Sequence, residues 1–204
     1  MAIEFRGCRG VVYAEVITDD NETEGGYKTG TVKPLAPVAE ISKTVETSSE
    51  AHYYDNVPAI VVNSEGSDTV TFTTAVLSDE ALAEITGRTY DAAKKAFIES
   101  PRATKYFAVG YIIGEVGEGE EERYVWRYKG TFNIPDETAA TKDNGTTGNN
   151  MSVVFTGIYT DHQFTNGGGT GKKAPAKAMF VRSSGTVTEA NFFKQVYTPD
   201  TVAA

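Results

Sequence analysis

The 204-residue sequence is poor in the side chains that most often bind metals. It contains one cysteine, Cys8, and two histidines, His52 and His162. A single cysteine excludes a disulfide within the chain and any zinc site that depends on paired cysteines. Neither histidine stands in a zinc-binding spacing such as H-E-x-x-H, so we interpret both as structural residues. We predict no metal and no cofactor, and the low cysteine content fits folding in a reducing cytosol.

Long hydrophobic segments are also missing. The opening residues, MAIEFRGCRG, contain no apolar signal core. The longest nearly apolar run, FAVGYIIG at 107–114, is far shorter than the roughly 20 residues that span a bilayer as a helix. From these two absences we expect a soluble protein that is made in the cytoplasm and carries no cleaved export signal.

Positive charge is scarce. The chain has 19 lysines and arginines against 28 aspartates and glutamates, which gives a net charge of −9 at pH 7. Proteins that grip nucleic acid concentrate Lys and Arg on one face, so this balance argues against such a protein. It is compatible with a surface that DNA slides past without sticking, because such a surface repels phosphate.

Recognised catalytic motifs are absent as well. Neither G-x-S-x-G nor G-x-x-x-x-G-K-[ST] occurs. The stretch GGGTGKK at 167–173 looks faintly like a phosphate loop, but Lys173 is followed by Ala174 and Pro175 where Ser or Thr is required. The carboxylates lie in polar runs, where burial is not expected to shift their pKa values for catalysis. We predict that the protein is not an enzyme.

The residues that are present favour β-structure. Aromatic residues, mostly Tyr and Phe, make up 11% of the chain, and there are 20 glycines, which suits strands joined by many turns. We predict a single mainly-β domain over 1–204 with its core at about 8–185. Strands are predicted at 10–18, 37–48, 57–63, 68–77, 105–116, 123–134, 151–160 and 176–183.

One helix is predicted at 78–87. Ser78 can cap its first turn, where Asp79 and Glu80 complement the helix dipole, and Gly87 can end it in the left-handed conformation.

The connecting segments are polar. A turn is predicted at 64–68 (SEGSD), and the segment 90–100 (YDAAKKAFIES) is ambiguous between a helix and a short strand. We expect long mobile loops at about 19–34 and 136–150 and a C-terminal arm at about 186–204.

Two segments concentrate carboxylates. In strand 37–48, alternation places four polar side chains on one face: Glu40, Ser42, Thr44 and Glu46. The second segment, 115–122, lies between two predicted strands that form a hairpin, and it holds five glutamates: Glu115, Glu118, Glu120, Glu121 and Glu122. We interpret this tip as solvated, since like charges spread into water unless a cation holds them. A calcium site is conceivable, although the alternating ligands of an EF-hand are absent.

The second arm of this predicted hairpin, 123–134, alternates. Tyr124, Trp126 and Tyr128 share one face, which we expect to lie in the core. If these three side chains were instead exposed in a concave patch, they would favour a carbohydrate-binding surface.

The segment 48–91, SSEAHYYDNVPAIVVNSEGSDTVTFTTAVLSDEALAEITGRTYD, resembles the major tail (tail tube) protein family of long-tailed, non-contractile bacteriophages. The shared features are a Y-x-D-N-like turn at 53–56, an E-G turn at 65–66, a strand at 70–77 and a capped acidic helix at 78–87. YFAVGY at 106–111 and, loosely, Gly10 to Ala14 add to them, and the order of elements agrees over about 8–185. The basic turn GTGKKAPAK at 169–177 departs from the family pattern.

The resemblance implies a β-sandwich or half-barrel flanked by one helix. It implies six copies in a ring, rings stacked into a tube, and a lumen through which viral DNA is ejected. The implied partners are further copies of the chain, a tape-measure protein, a tail terminator and the distal tail protein, which lies next to the baseplate. The implied location is the virion tail, assembled in the cytoplasm of a bacterial host.

Under this resemblance, the face of Glu40, Ser42, Thr44 and Glu46 is the candidate lumen lining, and an outer solvated face is the equally open alternative. Candidate residues for contacts between subunits or rings come from two loops and a hairpin tip: Asp19, Asp20, Glu22, Glu24, Glu118, Glu120, Glu121, Glu122, Lys172 and Lys173. The competing hypothesis is a β-sandwich on a cell or virion surface that binds carbohydrate or protein.

Overall fold

The computed structural model describes residues 3–21, 26–117, 120–136, 150–185 and 187–201. Within these ranges the strands are β1 (Glu4–Asp19), β2 (Tyr27–Thr29), β3 (Lys33–Pro34), β4 (Val38–Tyr54), β5 (Val57–Thr74), β6 (Thr89–Asp91), β7 (Ala96–Ile98), β8 (Phe107–Val116), β9 (Glu120–Phe132), β10 (Met151–Ile158) and β11 (Ala178–Arg182). The helices are α1 (Asp79–Thr86) and α2 (Glu189–Phe192).

The strands form one large antiparallel sheet and one small hairpin. The large sheet has the order β2-β1-β8-β9-β10-β5-β4, with β11 added to β9 and β3 added to β1. The pair β6–β7 stands apart as a two-stranded sheet. The prediction of a mainly-β domain is therefore confirmed.

The large sheet is strongly curved but does not close into a barrel. The rings of Phe72 in β5 and Tyr111 in β8 lie 5.7 Å apart between centroids, although three strand spacings, roughly 14 Å in a flat sheet, separate β5 from β8. Strand β4, at one end of the strand order, also comes into contact with β1. The sheet is thus a half-barrel in which β4 approaches β1.

Each face of the sheet carries its own core. Because side chains alternate along a strand, neighbouring residues enter different cores. The concave face holds an aromatic cluster that includes Phe72, Phe107 and Phe155, and α1 packs against it. Part of the convex face holds Trp126 and Phe192 in a second cluster, which the C-terminal segment covers.

Helix α1 confirms the helix predicted at 78–87. The side chain of Ser78 accepts a hydrogen bond from the backbone N–H of Ala81, and Asp79 and Glu80 lie in the first turn. Gly87 ends the helix with a φ of 65°, in the left-handed region. Ile85 is buried and anchors the helix in the concave core.

The turn predicted at 64–68 is wrong. Strand β5 runs without interruption through this segment, and an irregularity in its pairing with β4 accommodates the extra residue. The chain reverses instead at Asp55 and Asn56, whose φ angles are 52° and 62°. Asp and Asn tolerate this conformation, which a tight two-residue hairpin turn requires.

The ambiguous segment 90–100 forms the hairpin β6–β7. Its turn is held by Asp91, whose carboxylate accepts hydrogen bonds from the backbone N–H groups of Ala93 and Lys94. Lys95 then takes a positive φ of 51°. The local hydrogen bonds of Asp91 thus favour a turn over the helix that Ala and Lys would otherwise support.

The predicted loops are described in part. In 19–34, β2 and β3 pair with β1, so this segment is not entirely loop, and residues 22–25 lie outside the described residues. Of the loop predicted at 136–150, residues 137–149 also lie outside them. In the predicted C-terminal arm, the described residues 187–201 pack on the sheet through Val187, Phe192 and Val196.

Candidate functional site: an exposed hairpin arm

The distal half of the β4–β5 hairpin leaves the body of the sheet as a two-stranded ribbon. Near its C-terminal end, β5 is flanked by β4 and by β10, which pairs with Asp68–Thr74. Beyond Asp68, the described partner of β5 is β4 alone, in a register from Thr47 opposite Glu65 to Tyr54 opposite Val57. We call residues 47–66 the arm. At about 3.3 Å per residue it extends roughly 30 Å.

Both faces of the distal part of the arm carry exposed apolar side chains. Alternation places Tyr54, Ile60 and Val62 on one face and Tyr53 and Val61 on the other. Between 50% and 66% of the surface of each of these residues is exposed. An isolated two-stranded ribbon is marginally stable in water at best, and contiguous exposed apolar surface marks an interaction site.

The backbone edges of the arm are open as well. Among the described residues, β4 pairs with β5 alone, so its outer edge presents free N–H and C=O groups. Natural edge strands are commonly protected against pairing by lysine side chains. Segment 47–66 contains no lysine or arginine, and its charged residues are Glu50, Asp55 and Glu65. The arm therefore combines open edges with exposed apolar side chains, and its edges are interrupted by Pro58 and by the pairing irregularity between His52 and Tyr53.

A buried ion-pair cluster fixes the base of the arm. The carboxylate of Asp68, which is only 3% exposed, lies 2.7 Å from the guanidinium of Arg127 and 3.2 Å from Nζ of Lys43. Nζ of Lys177 bridges Asp68 at 3.4 Å and Glu65 at 2.7 Å. Burial acts to raise the pKa of Asp68, but hydrogen bonds from Arg127 and Lys43 outweigh it and hold that pKa below its usual value.

The predicted lumen residues come together beside the arm. Glu40, Ser42 and Thr44 pair with three threonines of β5, and their face turns away from Val70 and Phe72 in the concave core. Glu46 continues this face and accepts a hydrogen bond from Ser67. All four residues are exposed, and their role in a lumen stays a prediction.

Sequence reasoning missed the width of this face. It continues across β5 and β10 mainly through hydroxyl side chains, with Val154 among them: Thr69, Thr71, Thr73, Ser152 and Thr156. The alternating threonines of TVTFTT at 69–74 were the available signal. We call these residues, together with Glu40, Ser42, Thr44 and Glu46, the hydroxyl face.

The aspartates predicted to contact other subunits are engaged within the chain. Asp19 lies 2.6 Å from Nζ of Lys129 and accepts hydrogen bonds from the backbone N–H groups of Asp161 and His162. Burial lowers the pKa of Lys129, but hydrogen bonds to Asp161 and Asp19 outweigh it and raise that pKa. The backbone carbonyl of Asp20 is hydrogen-bonded to Nδ1 of His162. These contacts tie β1 to the segment after β10, and Glu22 and Glu24 lie outside the described residues.

The glutamate-rich tip is less solvated than predicted. Glu115 is 2% exposed and forms ion pairs with Arg123 and, at 2.9 Å, with Arg182. Interpreting Glu115 as a solvated charge was wrong, because Arg182 comes from β11, far away in the sequence.

The other glutamates of the tip differ among themselves. Glu121 pairs with Arg182 at 2.6 Å, and Glu122 pairs with Arg9 at 2.7 Å. Glu120 is exposed, and Glu118 lies outside the described residues. Two of these side chains thus hold β8–β9 to its neighbours, and contacts of the tip with another subunit stay a prediction.

Lys172 and Lys173 lie exposed on the turn that precedes Ala174. Gly169 and Gly171 in this turn have φ angles of 105° and 70°. The carboxylate of Asp200 anchors the start of the turn through the backbone N–H groups of Thr165 and Asn166. The position of these lysines leaves their predicted role between subunits open.

The three aromatic residues of β9 are buried. Trp126 and Tyr128 have no exposed surface, and Tyr124 is 6% exposed. The indole N–H of Trp126 donates a 2.8 Å hydrogen bond to the carbonyl of Phe192. These side chains therefore belong to the core, as predicted, and do not form a carbohydrate platform.

In the described part of the chain, no group of three or more His, Cys, Asp or Glu side chains is arranged to hold a metal ion. Across the same residues, neither helix has the length and apolar character needed to cross a membrane. Comparison of the sequence with protein-family models finds no match, and comparison with curated proteins finds none either.

Proposed function

We propose that this chain is a self-assembling structural subunit of a bacteriophage tail tube, which forms hexameric rings that stack into a conduit for viral DNA. The observation that carries the proposal is the arm, a two-stranded ribbon of 47–66 whose distal apolar side chains are exposed. The ring number and the tube come from the resemblance in the sequence.

The energetics favour burial of the arm against another molecule. Six large apolar side chains are at least half exposed there: Tyr53, Tyr54, Val57, Ile60, Val61 and Val62. Covering the exposed part of each contributes on the order of 1 kcal/mol before the costs of association. Open strand edges on the same ribbon add backbone hydrogen bonds to such a contact.

The placement of the arm favours a filament. It projects from one side of the body, so a contact between the arm of one copy and the body of another joins two different surfaces. When the same two copies do not exchange arms reciprocally, this contact is heterologous, and its repetition generates rings or open tubes. The subunits are therefore the first partners that we propose.

The hydroxyl face supports the conduit. Its residues on β4 and Ser152 are exposed, and its threonines on β5 and β10 are half-buried with Val154 among them. The face contains hydroxyl side chains with Glu40 and Glu46 but no lysine or arginine. A lumen of this composition offers no cations that would displace counterions from DNA, so the phosphates pass without binding. We propose this face as the lumen lining. The tape-measure, distal tail and terminator proteins are proposed as further partners on the resemblance alone.

Negative-stain microscopy and sedimentation velocity over a concentration series test the proposal. The matched control lacks residues 49–63 and joins Ser48 to Ser64 through an Asn-Gly turn, which suits a two-residue hairpin. Uniform tubes or six-fold rings of the full chain, lost in the shortened chain, would support the proposal. A full chain that stays monomeric at every concentration and binds glycans would instead support the surface binding module.

A further inference from the structure

The hairpin β6–β7 and its flanks form a basic segment in an acidic protein. Residues 88–105 contain five lysines and arginines against two carboxylates, a net charge of +3, whereas the whole chain carries −9. The arm has the opposite character, with three carboxylates and no lysine or arginine, a net charge of −3. Lys105 is paired with Glu15 and Arg88 with Glu99, so the cations at the hairpin turn are Lys94 and Lys95. The β6–β7 hairpin and the arm are thus opposite in net charge.

These two hairpins lie at opposite ends of β5. That strand starts at the arm tip with Val57 and ends at Thr74, directly before α1 and β6–β7. The backbone N–H of Ala103 donates a 3.0 Å hydrogen bond to the carbonyl of Gly87. This bond joins the two ends of the segment that contains the β6–β7 hairpin. A copy of the protein therefore presents the arm at one end and the basic hairpin at the other.

The basic hairpin offers cations beside apolar surface. The side chain of Lys94 is 80% exposed, although it forms a 3.4 Å ion pair with Asp91. Lys95 is exposed at the same turn and forms no ion pair with the described residues. Ile98 is 50% exposed on the adjoining strand, and Val76 is 68% exposed where the chain leaves β5. Such a surface can accept a ribbon that is apolar and acidic.

The neighbouring helix limits the size of this surface. Helix α1 carries Asp79 and Glu80 in its first turn, and Glu84 is occupied by Lys33 at 2.8 Å. The positive charge therefore does not extend over the helix, and within 89–98 it consists of Lys94 and Lys95 against Asp91, a net charge of +1. The two-stranded sheet β6–β7 also pairs with no other described strand, so its edges are open for added backbone hydrogen bonds.

We infer that the arm of one copy docks on the β6–β7 hairpin of the next copy, head to tail. The inference rests on the proposed self-assembly and names the surface that receives the arm. Glu50 and Asp55 face the lysines of the turn, and the apolar faces of the arm cover Ile98 and Val76. Because each copy keeps one free arm and one free basic hairpin, this contact propagates from copy to copy and gives a ring or an open filament according to the rotation between copies.

Charge reversal tests the contact. The double variant Lys94→Glu/Lys95→Glu is expected to raise the protein concentration needed for assembly at least tenfold in low salt. Glu50→Lys combined with Asp55→Asn is expected to raise this concentration as well. The variant that carries all four changes is expected to assemble at a concentration within about threefold of that of the unaltered chain. The control Lys28→Glu/Lys194→Glu makes the same change in net charge at exposed positions away from both hairpins and should leave assembly unchanged.

A cross-link separates this inference from the proposed function. In a Cys8→Ser background, Tyr54→Cys with Lys94→Cys is expected to give a ladder of disulfide-linked multimers, whereas Tyr54→Cys alone gives none. Dimers of the single variant would mean that arms meet each other and would overturn the inference. If shortening the arm abolishes assembly but Lys94→Glu/Lys95→Glu has no effect, self-assembly stands and the receiving surface is wrong. If the shortened chain assembles normally, the arm is not the contact and the inference fails while self-assembly stands. A full chain that stays monomeric at every concentration would overturn the proposed function itself.

Discussion

Two long hairpins of the same sheet, β4–β5 and β8–β9, are held in opposite ways. The hairpin β8–β9 is buried over most of its length, and even its polar end is tied by Glu115, Glu121 and Glu122 to arginines on other strands. The hairpin β4–β5 is buried only where β10 and the concave core meet β5. Of the remaining 47–66, Glu65 and Gly66 at the base contact Lys177, and the apolar side chains nearer the tip are at least half exposed.

The difference lies in how the apolar residues are arranged along each strand. In the body half of β5, Val70 and Phe72 point into the core and threonines point outward, as expected for a sheet with one solvated face. In the arm half, Ile60, Val61 and Val62 are consecutive, so apolar side chains point to both faces. Such a run is typical of a strand that is covered on both sides, and we assign that cover to a neighbouring copy.

The largest effect that separates the two halves concerns folding stability. Phe72→Ala is expected to lower the free energy of unfolding by about 3–5 kcal/mol, because it leaves a cavity in the concave core. Ile60→Ala, on the same strand but in the arm, should change it by less than about 0.5 kcal/mol in the monomer. Urea denaturation of both variants below the assembly concentration measures the contrast, and equal losses would show that the arm is part of the monomer's core.

The ion-pair cluster at the arm base predicts a dependence on pH. Because the pKa of Asp68 is lowered in the fold, its contribution to stability is complete above the unfolded pKa and is lost as the pH falls through the folded one. The protein should therefore lose stability below about pH 4, the ordinary pKa region of aspartate. Asp68→Asn is expected to cost about 3 kcal/mol at pH 7, since Arg127 stays buried without its counterion.

The measurement is the free energy of unfolding between pH 3 and pH 7 for both proteins. Their difference should shrink as the pH falls, because protonation of Asp68 removes the same charge that the substitution removes. A constant difference across this range would show that Asp68 is not the group that responds.

The glutamate-rich end of β8–β9 gives a smaller contrast. Glu115→Gln is expected to lower the free energy of unfolding by about 2 kcal/mol, because it weakens charged contacts to Arg123 and Arg182 in a buried position. Glu120→Gln removes an exposed carboxylate and should change it by less than about 0.5 kcal/mol. Thermal unfolding of the two variants measures both losses of stability. Equally small losses would show that Glu115 is solvated like Glu120 and does not hold β8–β9 to β11.

The smallest effect on folding concerns the hydroxyl face. Glu40→Lys with Glu46→Lys should change the free energy of unfolding by less than about 0.5 kcal/mol and leave assembly intact. Within a tube, the new cations would hold phosphates and slow DNA release, which a time course of release from particles carrying the variant measures. Loss of ring formation would instead identify this face as a contact between subunits.

Local signals predicted the local elements. The capping signals of α1 and the alternation of 123–134 each depend on residues that are close together in the sequence. The structure has both the helix and the buried face of β9. The Asp55–Asn56 turn was visible as part of a Y-x-D-N pattern, yet SEGSD at 64–68 presented a second turn signal. Pairing with β4 extends β5 through that segment, and local propensity cannot show such pairing.

The features that sequence reasoning missed depend on long-range contacts. Burial of Glu115 requires Arg182 from β11, and the clamp on Asp68 requires Arg127 from β9 and Lys177. The predictions divided the arm between the strands at 37–48 and 57–63 and the turn at 64–68, so its length and exposure could not be inferred. Only the register of β4 against β5 shows that 47–66 forms one continuous ribbon.

Hydrogen exchange of the arm amides, followed by mass spectrometry in monomer and in assembled protein, tests the central claim most directly. The account predicts that peptides from 47–66 exchange rapidly in the monomer and become strongly protected on assembly, while those from β8–β9 are protected in both states. Equal exchange of the arm in the two states would contradict the claim that it is the element through which copies of this chain assemble.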